Sequence, residues 1–509
     1  MKLNKLTKDK RFRYGSVSVV FTAVIVALII VINAVFSLVA NHFHLYIDMT
    51  SAQLYSLSDS SRELLGDLEF DGKVKIIFMQ EKDKIEDGTF TYDGDQYLRE
   101  IHELALDYAD EFSDLIELEY VNMYTNPGAL SKYRDQGLTW QPTSVIFDNG
   151  KDLFKVLGYS SFLAFDSEST TGEPIGFYGE HKITATVLAL CSQKVTAYVT
   201  EGHGEDALSE SFITVLESCG YEPKVVNLET ITLNEIIEDS PRLVIVNTAK
   251  TDFKGIDAGQ RSEVEKINKI LDGSYDKTSE NPTFGSLMVF GEPGTKLPNL
   301  NGVLLRWGLQ MNTASEDLVN ETPSNTFGDD ETQKILPLYE SGSASIGSSL
   351  TTKLRQKSNF RVAMDGTGTV TVSDVSASSE IYSSSILNTS DGRSVLAIAQ
   401  NKTAVGGVIS KYNYVLACGD SSLITDQFML PTDYANEALM TNICRAMINE
   451  TESTPETSII EYKDYIAEVN VQSVSSAEKQ AFLIFMAVII PVAILAAGIV
   501  VYVRRRNKL

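Results

Sequence analysis

The hexapeptide TEGHGE at 200–205 places an imidazole and two carboxylates around two glycines. It begins on the last residue of a predicted strand (195–200) and leads into a predicted helix (208–219). Ligands bind where the strands of a parallel sheet end, and backbone amides at a helix N-terminus favour an anion there. The candidate residues for a ligand or partner pocket are Gly202, His203, Gly204 and Glu205, with Asp420 and Ser421 from a later strand end as candidate neighbours.

The same residue types also suit a turn that binds nothing. Glycine permits a tight turn, and glutamate is favourable at the start of a helix. A single histidine without a second His or Cys at metal-ligand spacing predicts no metal site. The chain has no G-x-S-x-G elbow and no G-x-x-x-x-G-K-[ST] nucleotide loop. We therefore predict no catalytic residues, no cofactor and no enzymatic activity. A hydrolase that acts through His203, Glu205 and Asp420 stays open as an alternative.

Residues 41–193 show the alternation of a first α/β domain. The predicted elements are strands over 74–79 and 115–121, helices over 96–112, 128–136 and 180–193, and a strand pair that turns at Asn149-Gly150. This β-α-β-α-β-β-α order is that of a thioredoxin-like domain. No Cys-x-x-Cys follows the first strand, so redox chemistry is not predicted.

Residues 194–450 form a second predicted α/β domain. Its strand patterns lie over 195–200, 224–227, 243–247, 287–290 and 414–418, and helix patterns alternate with them. This alternation predicts a doubly wound, mostly parallel sheet of the flavodoxin- or amidotransferase-like kind. An acidic, Ser-rich segment at 313–395 interrupts the alternation, and short strand patterns over 368–372 and 395–399 predict that it is a β-rich insertion.

Two long uncharged runs flank these domains. Residues 17–40 form a run of 24 residues, and residues 481–503 form one of 23 that contains Pro491. At 1.5 Å per residue, 24 helical residues span roughly 36 Å, which is enough for a hydrocarbon core of about 30 Å. We predict a transmembrane helix at each run, with a polar stalk over 451–480 that leads to the second.

Charge predicts the direction of both spans. The tips at 1–16 and 504–509 are rich in Lys and Arg, and such flanks stay in the cytoplasm. Both termini are therefore predicted to be cytoplasmic, with residues 41–480 on the extracytoplasmic side. The whole chain has a net charge of −25, from 43 Lys and Arg against 68 Asp and Glu. This acidic balance argues against nucleic acid as a partner.

Cysteine usage is sparse. Four cysteines in 509 residues exclude a disulfide-scaffold protein. Cys191, Cys219, Cys418 and Cys444 lie in apolar helix or strand patterns, so buried free thiols are expected. A Cys191–Cys219 disulfide is the alternative.

Four groups of residues, in order along the chain, carry a resemblance to a known family. They are DMT (48–50) with LYSLS (54–58), GEHKIT (179–184), GHGE (202–205), and IP (490–491) with RRR (504–506). In this order the chain resembles the GldG-like, gliding-motility-associated auxiliary proteins of ABC transporters. The segment 313–395 departs from the family's pattern.

The resemblance implies a non-catalytic auxiliary or substrate-binding subunit in a bacterial plasma membrane. Its partners would be an ABC permease and a cytoplasmic ATPase, in addition to membrane lipid. The extracytoplasmic region would bind a substrate, a cell-envelope component or a partner protein. Two alternatives stay open beside it, an anchored cell-envelope hydrolase and a structural scaffold of the envelope.

Overall fold

The computed structural model describes most of the chain between the two apolar runs. The described residues are 24, 27–28, 30–31, 53–66, 68–88, 92–136, 141–165, 173–275, 283–313, 325–327, 334–342, 345–356, 360–365, 368–375, 380–405, 409–449, 460 and 462–465. The predicted basic tips, the predicted span at 481–503 and most of the stalk lie outside them. Of the predicted span at 17–40, five residues are described, and these are helical and exposed. No helix among the described residues is long and apolar enough to cross a membrane.

The chain is a mixed α/β protein, and residues 53–191 form its first sheet and the helices on it. The elements are α1 (Asp59–Gly66), β1 (Val74–Phe78), α2 (Lys82–Glu86), α3 (Asp95–Glu111), β2 (Ile116–Tyr120), β3 (Val145–Asp148), β4 (Phe154–Leu157), β5 (Leu163–Ala164), β6 (Gly176–Phe177) and α4 (Gly179–Cys191). The strand order is β2-β1-β3-β4. Strands β1 and β2 are parallel, whereas β3 runs antiparallel to both β1 and β4.

Sequence periodicity explains the elements of this first sheet. The predicted helix over 96–112 is α3, which buries an apolar face that includes Leu98, Ile101 and Leu104. The predicted turn between β3 and β4 is confirmed, with Gly150 at a φ of 72°. The side-chain oxygen of Asn149 accepts hydrogen bonds from the backbone amides of Lys151 and Leu153, which is the local bonding that favours Asn in turns.

A ten-stranded sheet and the helices on it form most of the rest of the body. The first elements of this part are β7 (Val195–Thr200), α5 (Glu210–Ser218), β8 (Tyr221–Val226), α6 (Leu233–Asp239), β9 (Leu243–Asn247), α7 (Glu263–Leu271), β10 (Ser286–Phe290), α8 (Pro298–Leu305) and β11 (Leu309–Asn312). Later elements are β12 (Thr326–Phe327), β13 (Lys334–Ile335), β14 (Leu338–Tyr339), α9 (Ile346–Leu350), β15 (Thr369–Val372), β16 (Ile381–Asn388), β17 (Ser394–Val405), β18 (Ile409–Cys418), α10 (Asp426–Met429), α11 (Asn436–Ile448) and β19 (Lys463–Asp464). Strands β12 and β13 form a separate pair, and β19 pairs with β6 in a small sheet that also contains β5.

The strand order of this sheet is β11-β15-β17-β18-β10-β9-β7-β8, and β16 pairs with β17 and β14. Five neighbouring strands, β18, β10, β9, β7 and β8, are parallel. Helices cover both faces of these strands. Ile245 of β9 packs in one apolar core with Phe212 of α5 and Ile443 of α11, whereas its neighbour Val244 packs in a second core with Ile267 of α7. Burial on both faces explains why β9 reads as a continuous apolar run.

The segment 313–395 is built into this sheet. Its described residues form short strands, as predicted, but β15 and β16 both pair with β17 of the main sheet. Ile335, Leu350 and Ile386 from this segment lie in the apolar core that covers one face. The predicted boundary at 395 falls inside β17, because β17 continues the core pattern through both sides of that position.

Candidate functional site

The GHGE turn lies between the end of β7 and the start of α5. Gly202 has a φ of 115° and Gly204 a φ of 78°, which is the region that glycine adopts without strain. A Cβ on Gly202 would also lie 2.7 Å from the side-chain nitrogen of Asn227. Both glycines are therefore required by the backbone path itself.

His203 is clamped between two carboxylates. Its Nε2 lies 3.0 Å from Oε2 of Glu263, and its Nδ1 lies 3.3 Å from Oε1 of Glu205. The ring stacks on Phe253 with centroids 4.1 Å apart. His203 is 9% exposed and Glu263 is fully buried. The imidazole therefore has a carboxylate at each nitrogen and an aromatic ring against one face.

This clamp fixes the protonation of His203. Burial lowers the pKa of His203, but the hydrogen bonds with Glu205 and Glu263 outweigh burial and raise the pKa to about 9. Burial raises the pKa of Glu205, but its hydrogen bonds, the one with His203 first, lower that pKa below its ordinary value. At neutral pH the ring is thus an imidazolium that donates from both nitrogens. A doubly protonated ring has no lone pair with which to accept a proton from a substrate.

Residues after β9 hold the turn against the sheet. The backbone amide of Lys250 donates to the carbonyl of His203 at 2.8 Å. The Thr248 hydroxyl accepts from the amide of Asp206 and donates to its carboxylate, both at 2.9 Å. Glu263, Phe253 and Thr248 were not among the predicted site residues, because nothing in the local pattern marks a residue 45 to 60 positions away as a partner.

Asp420 and Ser421 lie at the end of β18, and β9 and β10 separate β18 from β7. Three strand spacings amount to roughly 14 Å. The Asp420 carboxylate accepts from the amide of Ser422 at 2.7 Å and so caps a short 3₁₀ turn. Burial raises the pKa of Asp420 to about 6. The structure thus brings the four residues of the GHGE turn together and leaves Asp420 and Ser421 at a different strand end.

A second polar cluster surrounds Glu180, the second residue of α4. Its Oε1 accepts from the amide of Ser58 and from the hydroxyl of Ser61, both at 2.6 Å. Its Oε2 lies 2.9 Å from Nζ of Lys463, which also donates to the carbonyl of Ser56. Burial raises the pKa of Glu180, but the charge of Lys463 and the hydrogen bonds from Ser58 and Ser61 outweigh burial and lower the pKa below its ordinary value. The carboxylate therefore stays ionised. We call these residues the Glu180 cluster.

The Glu180 cluster joins two ends of the described body. Ser56, Ser58 and Ser61 belong to its first described segment, and Lys463 lies beyond the last long helix. The backbone of Lys463 passes so close to Gly176 that a Cβ there would lie 2.6 Å from the Lys463 carbonyl oxygen. Both ends are therefore fastened at the N-terminus of α4.

A cleft of about 550 Å³ opens beside the other part of α4. Its walls come from β4, α4, the N-terminal half of α5 and the segment after α10. The apolar part of its lining consists of Leu157, Leu163, Phe165, Ala185, Ala189, Met429, Leu430 and Pro431. The cleft lies between the first and second sheets and was not predicted from the sequence.

One end of the cleft carries a cluster of titratable groups around Glu437 of α11. Tyr178 donates to Oε2 of Glu437 at 2.8 Å, and His181 Nε2 lies 3.1 Å from Oε1. Lys182 Nζ lies 3.6 Å from the same oxygen. Burial raises the pKa of Glu437, but the charges of Lys182 and His181 lower it more strongly, so it is a carboxylate at neutral pH. Burial, followed by the charge of Glu437, raises the pKa of Tyr178 well above its ordinary value.

Cysteines and metal ligands add no further chemistry to these clusters. All four cysteines are buried free thiols, as expected, and the alternative Cys191–Cys219 disulfide is not formed. In the described ranges, no group of three or more His, Cys, Asp or Glu side chains could hold a metal ion. No protein-family model and no curated protein matches the chain. The Glu180 cluster, the His203 clamp and the cleft are therefore the features of the described residues that bear on function.

Proposed function

We propose that this chain is an extracytoplasmic accessory subunit of an ABC transport system. The apolar runs at 17–40 and 481–503 anchor it in the plasma membrane, and both termini lie in the cytoplasm. Its body binds a substrate or a partner, while a separate permease forms the path and a cytoplasmic ATPase supplies the energy. In this proposal the chain belongs with the GldG-like proteins and is not an enzyme.

The observation that carries this proposal is that the two ends of the described body meet at Glu180. A body tethered to one membrane by two helices must send both ends of its chain out on the same side. Ser58 and Lys463 contact the same carboxylate. From Ser58, 17 residues (41–57) lead back to the first apolar run, and from Lys463, 17 residues (464–480) lead on to the second. These short connections suit anchors that enter the membrane side by side.

Two of the four motif groups behind the resemblance meet in this cluster. The LYSLS motif supplies Ser56 and Ser58, and the GEHKIT motif supplies Glu180 and Thr184. The Thr184 hydroxyl donates to that of Ser61 at 3.3 Å and lies 2.6 Å from the hydroxyl of Tyr108. A physical role for both motifs in holding the tethered ends together supports the family assignment.

The finer fold assignments also belong to this proposal. A 2-1-3-4 strand order with one parallel and two antiparallel pairs, followed by a helix, supports a thioredoxin-like first domain. Five parallel strands with helices on both faces support a doubly wound second domain. The His203 clamp weighs against the hydrolase alternative, because an imidazolium held by two carboxylates is a poor general base at neutral pH.

Co-purification tests the proposed function. The full chain, tagged and extracted in mild detergent from its native membrane, is expected to retain a multi-span permease and an ATPase. A reporter that is active only in the cytoplasm is expected to be active when it is fused at residue 1 or at residue 509. A chain that purifies alone as a monomer, or a reporter found on the outer side, would contradict the proposal.

A further inference from the structure

We propose that the cleft beside α4 binds an extended peptide segment of a partner protein that is poor in acidic residues, and that this segment adds a strand to the free edge of β4. The inference rests on the proposed function, because it gives the class of partner that the extracytoplasmic body binds. Three independent features of the cleft support it: a strand edge, an apolar floor and lysines that are already paired.

The strand edge comes from the order of the first sheet. Strand β4 is last in the order β2-β1-β3-β4, and in the described part of the chain its only strand partner is β3. Lys155 and Leu157 of β4 line the cleft, so the strand with the free edge borders the cavity. An edge strand offers a row of backbone donors and acceptors to a second chain, and extended peptides bind proteins in this manner.

The apolar floor suits the side chains of an extended segment. Ala185 and Ala189 lie one turn apart on α4, and their small side chains leave room above the helix. Phe165 and Met429 add apolar surface, and Leu430 stands 65% exposed at the rim. The volume of about 550 Å³ lies within the range of ligand pockets, roughly 300–1,000 Å³. Every second side chain of an extended peptide points the same way, so a few of them can enter while the rest face outward.

The charges of the lining indicate that the peptide is poor in acidic residues. Both lysines that line the cleft already face a carboxylate, Lys155 that of Glu217 and Lys182 that of Glu437. An acidic side chain would have to displace one of these carboxylates and leave it without a counter-ion, which is costly in a partly buried place. The exposed carboxylate of Glu210 on the wall of the cleft would also repel it. Ser160, Ser161 and Ser211 supply hydroxyl groups along the walls instead. The cleft therefore favours apolar and hydroxyl side chains.

A random heptapeptide display library, selected on the purified full chain in detergent, tests the inference without any transporter partner. Enriched peptides are then synthesised with acetylated and amidated ends. We expect them to be poor in Asp and Glu and to bind the Leu430→Glu variant at least about tenfold more weakly, because the new charge lies on the apolar rim. Leu305→Glu is the matched control, since Leu305 is 54% exposed at the end of α8 and lies outside the cleft.

Hydrogen exchange distinguishes strand addition from simple insertion of side chains. The bound peptide is expected to slow exchange at the amides of Phe154–Leu157, and N-methylation of alternate peptide amides is expected to abolish binding. Enriched peptides that are rich in Asp and Glu, equal binding to Leu430→Glu and Leu305→Glu, unchanged exchange in β4, or no enrichment at all would each overturn the inference. Such a failure leaves co-purification with the permease untouched, so it is separate from a failure of the proposed function.

Discussion

At the scale of single residues, His203 shows how a motif can contain reactive residue types and still serve the fold. Its ring lies between Glu205 and Glu263 and against Phe253, and these three neighbours keep it protonated and in place. The two flanking glycines provide backbone angles that other residues adopt only with strain. Each residue of GHGE thus has a structural task in the turn.

The clamp predicts a pH dependence of stability. The pKa of His203 is raised from 6.5 to about 9 in the folded protein. A raised pKa stabilises the fold fully below pH 6.5, and this contribution, roughly 3 kcal/mol, is lost as the pH rises through 9. The His203→Gln variant is therefore expected to be less stable than the wild type by most of this amount at pH 6.5 and by little at pH 10. Denaturant unfolding of both proteins between these pH values measures the difference, and a difference that does not vary with pH would contradict the clamp.

The turn glycine predicts a second, local effect. Gly202→Ala is expected to lower the free energy of unfolding by about 1–3 kcal/mol, because the residue sits at positive φ and its Cβ would meet Asn227. Gly302→Ala is the control. Gly302 lies inside α8 with nothing within 4 Å of an added Cβ, so its replacement is expected to stabilise the protein by about 1 kcal/mol. Thermal unfolding of both variants would show opposite signs.

At the scale of elements, α4 carries three tasks on different parts of one helix. Its N-terminus forms the Glu180 cluster, its apolar side chains Ile183 and Val187 enter the core, and Ala185 and Ala189 form the floor of the cleft. The predicted helix over 180–193 is confirmed as 179–191. The polar tasks could not be predicted from the sequence, because they depend on Ser58, Lys463 and Glu437, which are far apart along the chain.

Elsewhere the sequence predicted individual helices and strands better than the contacts between residues far apart along the chain. The predicted strands over 195–200 and 243–247 match β7 and β9, because short runs rich in β-branched and aromatic residues with turn residues at their ends are strong local signals. Helix α6 was missed, although Thr232 and Glu235 form a capping box at its start. The pairing of β15 and β16 with β17 in the main sheet was missed for another reason. Which strands pair with each other cannot be read from the periodicity of a single segment.

Replacement of Glu180 is expected to loosen the two ends of the described body locally. Glu180→Gln removes the charge that attracts Lys463 and weakens two short hydrogen bonds, so it is expected to cost about 2–3 kcal/mol. Hydrogen exchange is expected to rise in residues 54–61 and to change little in β7 and β9. Glu238→Gln, on the exposed surface of α6, is the control and is expected to leave exchange unchanged. Uniformly faster exchange would argue against a fastening role.

At the scale of the whole molecule, the Glu437 cluster connects the two sheets. Tyr178, His181 and Lys182 belong to the start of α4 in the first part, whereas Glu437 belongs to α11, which packs on the second sheet. All three of these side chains converge on one carboxylate, whose side chain is 13% exposed. The two α/β parts are therefore joined by charge as well as by apolar contact.

Removal of this carboxylate should uncouple the two parts. Glu437→Gln leaves Lys182 without its counter-ion and is expected to destabilise the junction by about 3–5 kcal/mol. Limited proteolysis is expected to cut sooner near residues 192–194, between α4 and β7. Glu210→Gln, an exposed glutamate that also lines the cleft, is expected to leave the cleavage rate as it is. Equal rates for both variants would mean that the apolar contacts alone hold the parts together.

The meeting of both chain ends at Glu180 has a mechanical consequence for a doubly anchored protein. If the chain is anchored twice, as proposed, and neighbouring membrane subunits pulled the two anchors apart, the load would run from Ser58 through Glu180 to Lys463 and would bypass the large sheet. Traction on the anchors would therefore break a few hydrogen bonds of the Glu180 cluster before it stretched the body. The cleft and the His203 turn would keep their shape while this attachment gave way.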